Sequence, residues 1–135
     1  MLSYFFIKVL LFPRWIKIRF FKFWNILIFR LIGIQLGKNA QIFTNVFLQK
    51  HPKSKITIGD NFTFTSGDAI NPLCRNQRGC ICTERENSII EIGHYVGMSS
   101  PCIWAKERIT IGSYVNIGGD CILMDSDAHN LDWKV

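Results

Sequence analysis

The chain has 135 residues, 48% of them hydrophobic, with no low-complexity tract, which is the length of one domain with enough apolar residues to bury a core. Its net charge of +6 lies wholly at the N-terminus: Lys8, Arg14, Lys17, Arg19, Lys22 and Arg30 precede residue 35, the first acid is Asp60, and the remainder balances ten basic against ten acidic residues. Those N-terminal cations are interleaved with too many aliphatic and aromatic residues to make a continuous basic stripe, which argues against nucleic acid as a partner.

Residues 1–34 are expected to form a basic, hydrophobic helical segment, set apart from a domain over residues 35–135. Residues 2–12 are apolar apart from Ser3 and Lys8 but too few to cross a bilayer, which takes about 20. Pro13 is expected to break the helix. Beyond it Ile16, Phe20, Phe23, Trp24, Leu27, Ile28 and Leu31 recur at helical spacing, and Trp15, Ile18, Phe21, Ile26 and Phe29 make even the second face apolar. A basic, aromatic-rich helix of this kind suits a membrane interface, contacting the surface through residues 2–33. The same helix could instead cap the open end of the following domain or meet a neighbouring subunit. A cleaved signal peptide does not fit, because no small-residue cleavage site follows the apolar run.

From residue 36 the chain repeats. LGKNAQIF, IGDNFTFT, IGHYVGMS and IGSYVNIG start at Leu36, Ile58, Ile92 and Ile111, with Ala40, Phe62, Val96 and Val115 four residues on and Ile42, Phe64, Met98 and Ile117 six on. A six-residue period matches neither a helix nor a plain strand, but it suits short strands joined by tight turns into a three-sided coil of eighteen residues per turn. Glycine follows each lead residue, and Asn39 and Asn61 stand two further on, where a left-handed backbone is cheapest. Tyr95 and Tyr114 occupy that place later, so the turn is expected to change. The repeats are 22, 34 and 19 residues apart, which implies insertions on one face.

Five cysteines give no disulfide plan and fit a reducing setting. Counting the period forward puts Cys102 and Cys121 in an inward column as small core residues. Cys74, Cys80 and Cys82 fall in the long insertion NPLCRNQRGCICTEREN, where no further Cys or His completes a tetrahedral set, so no metal is expected.

The pattern fails in ILMDSDAHNLDW, residues 122–133. Continuing it would bury Asp127 unpaired, which is costly, so the chain must leave the regular coil near Asp125 and Asp127, immediately before His129. A histidine beside a carboxylate can act as a general base at neutral pH. A solvated acidic turn ending in a surface histidine would carry the same residues.

With these hexapeptide units and the D-S-D-x-H segment, the chain from Gly37 onward resembles the left-handed parallel β-helix acyltransferases, particularly the sugar and capsular-polysaccharide O-acetyltransferases near the maltose and galactoside enzymes. The left hand comes from the resemblance; the period allows either. The resemblance implies a homotrimer with active sites between solenoids, acetyl-CoA as acyl donor, a sugar or polysaccharide acceptor, and a cytoplasmic protein at the inner membrane face. Carried over by position, His129 is the catalytic base, Asp125 and Asp127 are its acidic supports, and Ser99 is the polar residue near the acyl group or acceptor. Family members continue for several coils beyond the histidine, so a chain stopping at Val135 is expected to be a fragment. Two other readings stand beside it: a membrane-associated trimer without activity, and a zinc-dependent, carbonic anhydrase-like enzyme using His51, His94 and His129.

Overall fold

The computed structural model describes residues 2–127. A single long helix, α1 (Leu2–Leu31), precedes twelve short strands: β1 (Gln35–Leu36), β2 (Gln41–Phe43), β3 (Phe47–Lys50), β4 (Lys55–Ile58), β5 (Thr63–Thr65), β6 (Cys80–Thr83), β7 (Ile89–Ile92), β8 (Gly97–Ser99), β9 (Cys102–Ala105), β10 (Arg108–Ile111), β11 (Asn116–Ile117) and β12 (Ile122–Met124). Every third strand joins the same sheet: β1-β4-β7-β10, β2-β5-β8-β11 and β3-β6-β9-β12, all paired in parallel. The result is a three-sided parallel β-helix with four coils.

Its interior follows the sequence columns through the first two sheets. Ile58, Ile92 and Ile111 are buried beneath the first corner, Phe62 and Val96 within it, and Ile42, Phe64 and Met98 on the second sheet. Each such side chain contributes about 1.5–3 kcal/mol by leaving water. Across the third sheet the inward residues are Leu48, Ile81, Ile103 and Leu123, one rank in register. This departs from the expected column. Two residues, Ser100 and Pro101, separate β8 from β9, whereas three separate β2 from β3. That one-residue difference flips the strand, since neighbouring side chains point to opposite faces. Cys102 and Trp104 therefore lie on the outer face, and Cys121 is exposed at the corner rather than inward.

The long insertion also divides. Residues 66–79 form a loop between β5 and β6, with one 3₁₀ turn at Pro72–Cys74, and residues 84–88 form a longer corner before β7. Between them, CICT is an ordinary rung, β6, so Cys80 and Cys82 belong to the third sheet and only Cys74 to the loop.

At the first corner Asn39, Asn61, Tyr95 and Tyr114 all take left-handed φ values of 57°, 57°, 55° and 61°. The turn is thus the same in all four coils, contrary to expectation. A left-handed residue with a Cβ costs roughly 1–2 kcal/mol. Tyr95 and Tyr114 offset it by stacking face to face, centroids 5.1 Å apart and planes 3° from parallel, a geometry that contributes about 0.5–1.5 kcal/mol. The preceding glycines answer a different need. A Cβ on Gly93 would lie 2.6 Å from the Ser113 nitrogen of the next coil, and Gly37 and Gly59 are as tightly covered.

Helix α1 runs unbroken through Pro13, so the expected break is absent. Its C-terminal turns seal the first coil. Phe29 is buried on the end of the solenoid, and the Asn25 side-chain amide donates to the carbonyls of Ile42 at 3.0 Å and Thr44 at 2.7 Å. The rest of the helix remains open, and no helix among the described residues is long and apolar enough to cross a membrane.

Gly93→Ala is expected to destabilise the solenoid by about 1–3 kcal/mol or more through overpacking against the fourth coil. The denaturant midpoint reads this directly; an unchanged midpoint would contradict the tight stacking.

Candidate functional site

Parallel register turns the outer face of the third sheet into two rows. One is Phe47, Cys80, Cys102 and Ile122; the other is Gln49, Cys82, Trp104 and Met124. A concavity of about 300 Å³ lies over them, lined by Phe47, Gln49, Trp104, the three thiols and Glu84 from the following corner. Two polar atoms within this face have lost water without gaining a partner: Trp104 Nε1 and Glu84 Oε2. Leaving such groups unmatched costs about 1–3 kcal/mol each, more for a charge. Both atoms lie within the wall of the concavity, out of contact with water. Lys106 supplies a positive charge beside them, with Nζ 3.8 Å from Glu84 Oε1 and 5.7 Å from the Trp104 ring centre.

Cys80 and Cys82 are poor nucleophiles here. Burial, then the neighbouring Cys102 and Cys82, push Cys80 up to about 12, against a weaker opposing effect of Arg78. Burial, then Glu84 and Cys102, raise Cys82. Both remain protonated at neutral pH, and only a thiolate attacks well.

Asp125 closes the β12 end of this face. Its Oδ1 accepts from the Lys106 N–H at 2.8 Å, and its Oδ2 accepts from the Glu107 and Arg108 N–H groups at 2.7 Å each. Both oxygens are thus committed to the corner below, which carries Lys106. Burial raises the carboxyl's pKa, but these three backbone donors outweigh it and hold the group below its ordinary 3.8. Asp127 is exposed, and His129 lies outside the described residues. Asp127 makes no such side-chain hydrogen bond among the described residues.

Ser99 stands at a different corner, at the end of β8, where its Oγ accepts from Thr65 Oγ1 at 3.3 Å. The length of β9 separates that corner from the one Asp125 holds, roughly 13 Å of strand at about 3.3 Å per residue. The described residues do not bring Ser99 and Asp125 together.

The other two histidines have structural places. At the first corner each coil's N–H donates to a side chain of the next: Lys38 N–H to Asp60 Oδ1, Asp60 N–H to His94 Nδ1 and His94 N–H to Ser113 Oγ, at 2.7, 3.0 and 2.9 Å. His94 is a rung of this ladder through its Nδ1. His51 sits at another corner, where Nδ1 accepts from the Lys53 N–H at 3.2 Å. Among the described residues no three His, Cys, Asp or Glu side chains converge as metal ligands do.

Trp104 escaped sequence reasoning because the period was carried across a shortened corner, and Glu84 because residues 71–87 were read as one insertion. Matching I-x-A at residues 103–105 to I-x-T at 81–83 would have corrected the phase.

Asp125→Asn is expected to weaken folding by about 1–3 kcal/mol, the usual worth of hydrogen bonds to a charged acceptor. Because the folded carboxyl titrates below 3.8, its contribution is full above that pH and is lost as pH falls through the depressed value. Acid titration of thermal stability should show this limb in the parent and not in the variant; identical acid limbs would remove Asp125 from the corner. Comparison of the chain with protein-family models, curated proteins and solved structures gives no match in any of the three.

Proposed function

We propose that the protein is an acetyl-CoA-dependent O-acetyltransferase acting on a hydroxyl of a sugar or polysaccharide precursor, with His129 as general base. The observation that carries this reading is the third sheet's outer face. It is an apolar concavity holding an unpartnered indole N–H and carboxylate oxygen, and the strand that bounds it runs straight into the D-S-D-x-H segment. The resemblance to left-handed hexapeptide acyltransferases supplies the chemistry. His129 removes the acceptor's proton, the oxygen attacks the thioester carbonyl, and the tetrahedral oxyanion collapses to an ester with loss of the coenzyme thiolate, which is reprotonated. Donors at the site carry the oxyanion. The protonated state of Cys80 and Cys82 favours direct transfer over a covalent thiol intermediate. Asp127 orients the base, while Asp125 fixes the corner beneath it. Ser99 then serves the acceptor from its own corner or from a neighbouring subunit in a homotrimer, whose second solenoid would cover the concavity.

The protein acts at a membrane surface, on this reading, as a peripheral protein of the cytoplasmic face. The support is which side of α1 stays open. The helix turns Asn25 and Phe29 to the solenoid, leaving Phe20, Phe23, Leu27 and Leu31 at 57%, 70%, 51% and 71% exposure along one stripe. Basic residues flank it, as expected for attraction to anionic lipid.

His129→Ala is expected to lower acetyl transfer to the best acceptor in a sugar panel by about 10²- to 10⁴-fold, the usual contribution of a general base. Undiminished turnover would remove His129 from the mechanism. A Phe20→Ser, Phe23→Ser and Leu27→Ser triple variant should leave the melting temperature in place and weaken sedimentation with anionic vesicles at least about tenfold, since none of the three side chains belongs to the buried core. Undiminished vesicle binding would show that the stripe faces something other than lipid.

A further inference from the structure

A second concavity, of about 280 Å³, lies between α1 and the 66–79 loop and shares no lining residue with the concavity on the third sheet's outer face. Its lining includes Lys17 from the helix, Arg75, Gln77 and Arg78 from the loop, and Asn45, with Asp68 as the sole carboxylate. Three cations against one anion is an imbalance that the described residues do not correct: neither Lys17 nor Arg75 makes an ion pair or a side-chain hydrogen bond among them. Arg78 is already aimed. Its Nη2 donates to Asn45 Oδ1 at 2.8 Å and to the Val46 carbonyl at 3.0 Å, and its guanidinium packs 5.5 Å from the Phe47 ring centre. One arm of the fork is fixed by protein, which leaves Nη1 and Nε for an incoming oxyanion.

The loop is held in place for this purpose from several directions. Arg14 Nε donates to the Ala69 carbonyl and ties the loop to α1. Ser66 Oγ accepts from the Gly79 N–H at 2.9 Å and donates to the Asn45 carbonyl at 2.6 Å, which joins the two ends of the loop to the first coil. The Gly67 N–H donates to Ser100 Oγ at 2.8 Å, and Cys74 is fully buried beneath the 3₁₀ turn. A fourteen-residue insertion that merely bridged two strands would not need four anchors, and the anchored loop presents its arginines to a lysine on another element.

We infer that this concavity binds a phosphate group, gripped by Lys17, Arg75 and the free edge of Arg78. Guanidinium forks match phosphate oxygens bidentately, and a lysine adds a point charge, so the set suits a phosphate mono- or diester better than a carboxylate. The phosphate could belong to a lipid headgroup reached while α1 lies on a bilayer, or to a free phosphorylated compound. The inference does not depend on the acetyltransferase reading.

The test uses the full chain and a Lys17→Gln and Arg75→Gln double variant, leaving Arg78 and its structural bonds intact. A second double variant, Lys8→Gln and Arg19→Gln, loses the same charge outside the cavity. Calorimetric titration with inorganic pyrophosphate should give saturable binding that weakens at least about tenfold in the cavity variant and is unchanged in the control. Sedimentation with vesicles of phosphatidylcholine alone or with one-fifth phosphatidic acid separates the sources. Loss of acid-dependent binding in the cavity variant beyond that of the control assigns a lipid headgroup. Equal lipid binding by the two variants, with pyrophosphate affinity lost only in the cavity variant, assigns a free phosphate compound. Pyrophosphate and vesicle binding that fall equally in both variants, or in neither, overturn the site, provided both melt as the parent does.

Discussion

Everything in this molecule depends on how closely one coil lies on the next. Successive coils share a backbone hydrogen-bond ladder along all three sheets, and at the first corner they approach so closely that Gly37, Gly59 and Gly93 have no room for a Cβ. Parallel strands in one register place each side chain above its counterpart, so a choice made in one coil constrains the next. The ladder of Lys38, Asp60, His94 and Ser113 follows from that constraint, and so does the left-handed backbone of Tyr95 and Tyr114. Residues that would suggest chemistry in isolation, a histidine beside an aspartate or an aspartate before a catalytic-looking histidine, are partly accounted for by stacking. His94 and Asp125 both use their polar atoms to hold backbone at corners.

The part of the fold governed by a strict period was legible in the sequence. Leu36, Ile58, Ile92 and Ile111 announce the first sheet, and the residues four and six positions on announce the corner and the second sheet. Legibility ended at the second corner, where the linker has three, fourteen, two and four residues in successive coils. A period cannot be carried across a joint of changing length, and an error of one residue exchanges inside for outside. That is why Cys102 was expected in the core and Trp104 was not expected on the surface, although both sit where coil stacking puts them. The tyrosines misled for another reason: propensity disfavours them at left-handed positions, but the stack between coils supplies what a lone tyrosine lacks. Pro13 likewise lies inside a continuous helix. Of the candidate site, Asp125 was recognised by the break in pattern, but its partners are backbone amides seventeen to nineteen residues earlier, which no local motif encodes.

Three surfaces remain once the structural roles are assigned. The open stripe of α1, the cationic concavity beside the 66–79 loop and the outer face of the third sheet each present groups that the fold leaves unmatched. In the first two, α1 joins the solenoid by its inner face and so keeps its apolar side and Lys17 free. In the third, an indole N–H and one oxygen of the Glu84 carboxylate sit in a largely apolar wall without hydrogen-bond partners, while the other oxygen faces Lys106. The proposed transferase would use all three: a surface to hold it, a phosphate contact to orient it and a dry face for the thioester.

The account rests most heavily on the third of these, and Trp104 Nε1–H reports on it directly. Its indole N–H resonance, identified among the four tryptophans by loss in a Trp104→Phe variant, can be followed by NMR as acetyl-CoA is added. A saturable shift of that signal, with slowed hydrogen exchange, is the predicted result. A Trp104 signal that neither moves nor gains protection through an excess of acetyl-CoA would contradict the assignment of this face as the site of acyl transfer.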